Sequence, residues 1–448
     1  MTYQEFKAEI IRAAEAMGIC DYEIYYQTEE STSVSAFHHE LNQFTSSVEG
    51  GLCFRCIVNG KMGYASTEAM SSEQAQRLVR TAYDNALALE ADDPVCLVSG
   101  GQSYEVIDRQ PYALPETDAL IRKVLETQEQ LYAADPTVVD GCSAQGISAR
   151  MELGIYNSKG LDLSYSNNMA GVIVGAVVSN GQEMENDYQL KLGALETLDT
   201  QALTQKAAKT AIAKLGGEVA PTAVCPVVFD PEAMSDLLST FSSVFSSEAA
   251  QKGLSKLGDK EGTVIASEAV TLVDDPFHKD NPMPIPFDAE GSPTHCKKLI
   301  EKGELKTLLY NLKTAALAGK KTTGNASKGN YNSAIAVRPF TMYLEPGTLT
   351  EEELISKVQK GVYINSLGGL HAGANPVTGD FSLQSAGYLI EDGKKTTHVK
   401  SFTVAGNFYE LLKKITAVAN NFDLPMATSS TAFGSPSVLV EDLSVAGK

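Results

Sequence analysis

Residues 361–393 read GVYINSLGGLHAGANPVTGDFSLQSAGYLIEDG. Val362 and Ile364 alternate like strand residues, a run crowded with Gly, Asn and Pro follows, and strand character returns at Phe381. Gly368, Gly369, Gly373 and Gly379 allow positive φ or the close approach of a second backbone. Asn375-Pro376 and Thr378-Gly379 are turn chemistry, and His371, Asn375, Thr378, Asp380 and Ser382 supply polar groups within a short span. A polar, glycine-rich loop on rigid flanks describes a binding surface. The candidate substrate-binding set is therefore His371, Asn375, Thr378, Gly379, Asp380, Phe381 and Ser382, within a cleft-lining segment from Gly368 to Ser382. A long connection without a ligand fits the same composition. Asn375, Thr378 and Asp380 capping their own turns would also account for those three residues.

Outward from this stretch, the totals describe an ordinary globular chain. Its 448 residues suggest about two to four domains. Hydrophobic residues make up 43% and charged residues 21%, which supports an ample core. A net charge of −20 argues against nucleic acid and against anionic membrane surfaces. No basic segment followed by an apolar one opens the chain, so no signal peptide is expected. The apolar run Ala170 to Val178 is too short to span a bilayer. Seven cysteines without framework spacing fit a reducing cytoplasm.

Along the chain, Thr2 and Glu5 form a capping box ahead of Phe6, Ile10, Ala13, Ala14 and Met17, with Gly18 as the stop. Short strands are expected at Tyr22 to Gln27, Thr32 to Phe37, Leu52 to Val58 and Met62 to Ser66, the last two joined by an Asn59-Gly60 hairpin turn. Helices are expected over Ser72 to Leu89, Glu116 to Ala134 and Thr200 to Leu215. Val138 to Leu192 reads as a meander broken at Lys159-Gly160 and Asn180-Gly181. The segment from Gly216 to Cys225 is the domain boundary, giving an N-terminal α/β domain over 1–217 and a β-rich domain over 218–448. Asp230-Pro231 begins a further helix as N-cap and first-turn proline. Helices near Leu308 to Ala318, Glu351 to Gln359 and Phe408 to Ala419 interrupt a strand-rich remainder. Strands and helices come in blocks rather than in βαβ alternation, so the class is α+β.

The chemistry is sparse. Cys53-x-x-Cys56 lies in a predicted strand, where positions three apart face opposite sides of the sheet, so two buried cysteines are expected. His38-His39 and His295-Cys296 fail as ligand pairs for the same reason. No zinc-protease, nucleophile-elbow or phosphate-loop motif is present. The carboxylates at Asp274-Asp275-Pro276 and Phe287-Asp288-Ala289-Glu290-Gly291 read as turn formers rather than a metal site. No catalytic constellation emerges from the residues alone.

Five segments together resemble the TldD/PmbA family, formerly called modulators of DNA gyrase: DDPF at Asp274, FDAEGSPT at Phe287, TTGNAS at Thr322, HAGANPVTGDFS at His371 and GSPSVLVEDLSVAG at Gly434. The resemblance is strongest over Val224 to Gly447. It implies an N-terminal α/β domain, a β-rich C-terminal domain with a mixed, barrel-like sheet, and dimers. In the TldD branch a His-Glu-x-x-x-His zinc motif occupies the first helix of the C-terminal domain, with a cysteine supplied near the C-terminus. Here Pro231 and Asp236 stand where the histidines would be, Glu232 alone matches, and Thr431 to Gly434 holds no cysteine. The resemblance is thus to the PmbA/TldE branch, with no cofactor in this chain and zinc in a TldD-type partner. Such subunits pair in a cytoplasmic metalloprotease acting on peptides, in peptide maturation and in proteolysis. The alternative is a stand-alone homodimeric peptide-binding protein. A weaker one is an independent hydrolase using Glu232 with Asp288 and Glu290.

Overall fold

In a computed structural model of the protein, which describes residues 1–90, 92–107, 113–427 and 431–447, the N-terminal half is a six-stranded antiparallel sheet carrying four helices. Helix α1 (Tyr3–Ala16) begins at the predicted capping box: Thr2 Oγ1 accepts the Glu5 amide and the Glu5 carboxylate accepts the Thr2 amide. Strands β1 (Asp21–Phe37), β2 (Glu40–Val58) and β3 (Lys61–Thr67) precede α2 (Ser72–Ala88) and α3 (Thr117–Tyr132). Then follow β4 (Ser143–Asn157), β5 (Asp162–Ser179), β6 (Met184–Leu192) and α4 (Thr200–Lys214). The sheet order is β3-β2-β1-β4-β5-β6. Phe6, Ile10, Leu78 and Val79 of α1 and α2 pack on Ile24, Leu52 and Phe54. Leu120, Val124 and Ala207 of α3 and α4 pack on Val172 and Val174.

The predicted strands Tyr22 to Gln27 and Thr32 to Phe37 are one strand of 17 residues, and Leu52 to Val58 is the end of a 19-residue one. The polar run between them, Thr28 to Ser31, interrupts the hydrophobic alternation but not the ladder. β1 keeps β2 on one side and β4 on the other along this run, so its backbone groups stay paired.

After Lys214 the chain enters a second system. Asp230 caps helix α5 (Pro231–Phe241) by accepting the Ala233 amide at 2.8 Å, with Pro231 in the first turn. Strands Ala223–Phe229, Lys360–Gly368, Asp380–Glu391, Lys394–Asn407 and Val438–Ala446 close on each other as a five-stranded barrel. A second six-stranded sheet includes Leu272–Asp274, Lys297–Glu301, Thr341–Leu344 and Ala432–Ser435. Helix accounts for 25% and strand for 40% of the structure, so strand dominates and the α+β class holds. Phe229, Leu237, Phe241, Phe381, Phe402 and Phe408 lie in the C-terminal core.

Three predicted helices are shorter than the pattern implied. Leu312–Ala318 starts only at its Asn311 cap, and Glu351–Ile355 stops early. Phe408–Lys414 gives way to a strand over Ile415–Val418 that pairs with the C-terminal strand. Ile415 and Val418 are β-branched, and the ladder overrides helix continuation there.

Cys53 and Cys56 are both buried, but they pack in different clusters: Cys53 with Tyr25 and Leu153, Cys56 with Phe6 and Phe54. The cysteines are free thiols. Among the described residues no helix is long and apolar enough to cross a membrane.

Candidate functional site

The glycine-rich stretch folds as a braced loop. Leu370–Gly373 forms a single helical turn, and the loop then doubles back so that the Asn375 amide donates to Asp380 O and the Gly379 amide to Asn375 O. Asn375 Oδ1 accepts the amides of Val377 and Thr378, and Thr378 Oγ1 accepts the Asp380 amide. Neighbouring elements clamp it further: Asn407 Nδ2 donates to Thr378 O and to the Asp380 carboxylate, and Lys256 Nζ donates to Thr378 O. The bonds from Asn407 and Thr378 hold the Asp380 carboxyl below its ordinary range. Gly379 sits at φ +85 with the Tyr409 ring against its α-carbon, so no side chain fits there.

The seven candidate residues thus divide. Asn375, Thr378 and Asp380 build the loop, Gly379 makes its clamp possible, and Phe381 is a core residue packed on Phe241. His371 and Ser382 remain exposed.

The loop packs against α5, and between them an unpaired strand edge opens. Lys360–Gly368 pairs along its length with Asp380–Glu391, but its other neighbour, Ala223–Phe229, accompanies it only over Val362 to Ile364. There the neighbour turns away into α5, and the Asp230 amide donates to Ile364 O. Among the described residues, no backbone bond covers Asn365 to Gly368 on that side. The Asn365 side-chain oxygen is buried without a partner. Ser366 and Gly368 line a cleft of about 300 Å³ whose far wall is the N-terminal half, with Glu185 and Asn186 of β6 and Lys214. Lys400 crosses the cleft to Glu183 and Glu185 at 2.8 and 2.6 Å, and Lys214 pairs with Asp187 at 2.9 Å.

The first turns of α5 carry further acids, and Glu232 feels the charges of Asp187 and Lys214 from the N-terminal half. Burial pushes the Asp230 carboxyl up to about 7, with the charge of Glu232 adding to it. Burial also raises Glu232 to about 7, helped by Asp187 and Asp236, and lifts Asp236 to about 6. Glu232 is open to solvent while set among protein charges, as a carboxylate on a cleft wall is. Among the described residues, neither the Glu232 nor the Asp236 carboxylate has a hydrogen-bond or ion-pair partner.

Family models match most of the chain. The PmbA/TldA metallopeptidase C-terminal domain covers residues 222–447, domain 1 covers 22–86 and the central domain covers 111–215. The chain belongs to the PmbA/TldD metallopeptidase family. It is 27% identical to a metalloprotease of Methanothermobacter thermautotrophicus, over 89% of this chain and 87% of that one. It is 24% identical to the metalloprotease PmbA of Escherichia coli O157:H7, over 93% and 90% of the two chains. A Thermotoga maritima protein described as a candidate modulator of a DNA gyrase superposes with a TM-score of 0.90 at 29% identity, covering 99% of this chain and all 100% of that one. TldE from Thermococcus kodakarensis superposes at 0.87 with 25% identity, over 99% and 100% of the chains.

For a PmbA/TldD-family chain, the donor set on α5 does not suit a catalytic zinc. Zinc in such a site takes three protein ligands, mostly His, Cys or carboxylate. Pro231 offers no donor atom, and the Ser235 hydroxyl is spent on Pro231 O at 2.6 Å. Among the described residues no group of three or more His, Cys, Asp or Glu is placed to hold a metal ion. No step is routed through a metal on this chain.

The remaining motif residues lie elsewhere, in structural roles. Asp274 is not a turn residue but a fully buried strand end: it accepts from Lys297, Asn325 and the amides of Phe340 and Thr341. Asp288 does make the predicted turn, accepting the Glu290 and Ser292 amides, yet it is buried where the two halves meet. The strand edge and the Lys214–Lys400 wall were missed by reading the sequence, because both depend on chain segments far apart.

Proposed function

We propose that this chain is a PmbA/TldE-type subunit that holds a peptide for cleavage by a metal-carrying, TldD-type partner in a cytoplasmic peptidase. Residues 1–217 and 218–448 form its two units, and the peptide lies in the cleft between them. The observation that carries the reading is the unpaired edge from Asn365 to Gly368, on a strand that packs against α5 and leads into the His371 loop. An extended peptide can add to such an edge through main-chain hydrogen bonds, a sequence-tolerant mode of recognition. The strand Asp380–Glu391 cannot serve in this way, because both of its edges are paired. Exposed His371 and Ser382 flank the path, and His371 can donate from one ring nitrogen and accept on the other. Glu232, alone of the acids on α5 in matching the metal-binding branch, orients the peptide rather than a metal.

Reconstitution tests this directly. The chain is mixed with a TldD-type subunit, and cleavage of an unfolded peptide is followed with each chain alone and with both. Cleavage that needs both chains is the expected result. Cleavage by the partner at an undiminished rate without this chain would overturn the assignment and leave the homodimeric binding protein in its place. Leu367→Pro removes a backbone donor from this stretch and also a side chain that packs on the C-terminal core, so it is compared with Leu367→Ala; peptide retention by the assembled pair should be lost in the proline variant and kept in the alanine one.

A further inference from the structure

The face of α5 that carries Glu232 and Asp236 continues, one and two turns on, to Thr240 and Ser243. There it enters a second groove of about 500 Å³, closed opposite by Arg338 and Phe433. We propose that this groove binds a peptide carboxylate through Arg338; the inference rests on the peptide-holding reading above.

Three observations carry it. The ionisable residues lining the groove are Glu248, Lys252 and Arg338. Lys252 Nζ and the Glu248 carboxylate neutralise each other at 2.6 Å, so the guanidinium of Arg338 is left as the net charge. Among the described residues it has no ion pair or side-chain hydrogen bond, on a chain whose total charge is −20. A groove holding one unneutralised positive charge on an acidic protein favours an anionic ligand group. The guanidinium fork matches a carboxylate two hydrogen bonds at a time.

The second observation is the mount. Arg338 stands on backbone held from both directions by Asn325: the Arg338 amide donates to Asn325 O at 3.2 Å, and Asn325 Nδ2 donates to Arg338 O at 3.0 Å. The same Asn325 Nδ2 donates to buried Asp274 at 2.8 Å, and Asp274 also takes the amides of Phe340 and Thr341. Two motif segments, DDPF and TTGNAS, thus converge on fixing the backbone of an arginine that neither contains.

The third is the row of hydroxyls. Ser239 and Ser243 line the groove and spend their hydroxyls on no protein partner, so both are available to a carboxylate oxygen. The C-terminal carbonyls of α5 oppose an anion here. Thr240 and Ser242 reduce that opposition by donating to Asp236 O and Ser239 O. From Glu232 to Thr240 the α5 face spans roughly 12 Å, about four residues of extended peptide. A peptide seated on the Asn365–Gly368 edge can therefore reach Arg338 with a terminal or side-chain carboxylate.

The test uses the full chain and three probes: tetra-alanine with a free C-terminus, the same peptide as its C-terminal amide, and an amide with Glu in place of one Ala. Binding is followed by calorimetry or ligand-observed NMR at low salt. At least one carboxylate form should bind about tenfold more tightly than the plain amide, and Arg338→Gln should erase that difference. Preference for the free acid identifies the terminus as the source, and preference for the Glu peptide identifies the side chain. Equal binding of all three, or a preference that survives Arg338→Gln, overturns the anchor. If all three bind equally and all are lost in Leu367→Pro, the cleft reading stands and only the carboxylate anchor falls. No binding of any probe at millimolar concentration counts against both.

Discussion

Two regions of the molecule concentrate carboxylates away from bulk water, and they do so in opposite ways. Where the two halves meet, Arg55 lies between Glu23 and Glu290, with Asp288 two residues from Glu290, all of them buried. On α5, the Glu232 and Asp236 carboxylates have no ion-pair partner among the described residues. At the junction every oxygen has work: Arg55 bonds Glu23 through Nε at 2.7 Å and pairs with Glu290, Asn157 donates to Glu23, and the Leu312 amide donates to Glu290. Burial opposes the Arg55 charge, but Glu23, Tyr64 and Glu290 together raise its pKa and keep it cationic. Burial still pushes Asp288 and Glu290 upward, with the charge of Glu290 adding to the rise of Asp288 and that of Glu23 to the rise of Glu290. A closed cluster whose carboxylate oxygens are all partnered joins two halves of a fold. Open, unpartnered carboxylates with raised pKa mark a surface that waits for a ligand.

The largest effect should come from breaking the closed cluster. Arg55→Met leaves Glu23 and Glu290 buried without their cation and should lower unfolding stability by about 3–5 kcal/mol, measured by urea unfolding. Glu232→Gln, on the open side, should not lower it and should raise it near neutral pH, where the fold disfavours the charged carboxyl. Equal losses in the two variants would erase the distinction between them. The second effect in size concerns the loop brace. Gly379→Ala places a methyl group 2.4 Å from the Tyr409 ring at φ +85 and should cost about 1–3 kcal/mol. Gly368→Ala, whose nearest neighbour would lie at 3.6 Å, should be far milder. A thermal scan of the two variants compares them.

The contrast also separates what a sequence shows from what it hides. Local rules were readable: the Thr2–Glu5 capping box, the Asn59-Gly60 turn, the Asp230-Pro231 helix start and the opposed faces of Cys53 and Cys56. Each depends on residues a few positions apart. The Arg55 cluster draws on residues 23, 55, 157 and 290, and no pattern in any one segment announces that they meet. The same holds for the open edge, which exists only because Ala223–Phe229 departs at Phe229 while its neighbour continues. Where local and distant signals disagreed, the distant one won, as Thr28 to Ser31 stayed in strand and Ile415 left its helix. The loop at His371 was legible as a feature, but which of its residues build it and which face outward was set by Asn407, Lys256 and Tyr409.

A third test reads the open side by titration. Asp230 and Glu232 near 7 and Asp236 near 6 lie above an ordinary carboxyl value of about 4. The folded state therefore holds more protons than the unfolded chain between those limits. The stability these groups contribute is complete below about pH 4 and is lost as the pH rises through 6 and 7. Carboxyl-carbon NMR should place the Glu232 midpoint near 7, and Asp236→Asn should lower it by removing a neighbouring charge. An ordinary midpoint would show that the cleft is wetter than its walls imply. It would also weaken the case for a ligand surface there.

The smallest expected effect on stability is at His371, and its smallness is what makes it informative. The side chain is exposed and carries no hydrogen bond, while the brace of its loop runs through Asn375, Thr378, Asp380 and Asn407. His371→Ala should therefore leave unfolding unchanged within about 0.5 kcal/mol. Peptide cleavage by the assembled pair should nevertheless fall about tenfold, the loss of roughly one good hydrogen bond to the substrate. Because the loop stays folded, such a fall cannot come from a rearranged cleft, which is the ambiguity that Gly379→Ala would leave. If stability and cleavage both stay at wild-type levels, the loop is scaffold alone. Peptide recognition would then rest on the Asn365–Gly368 edge without help from His371.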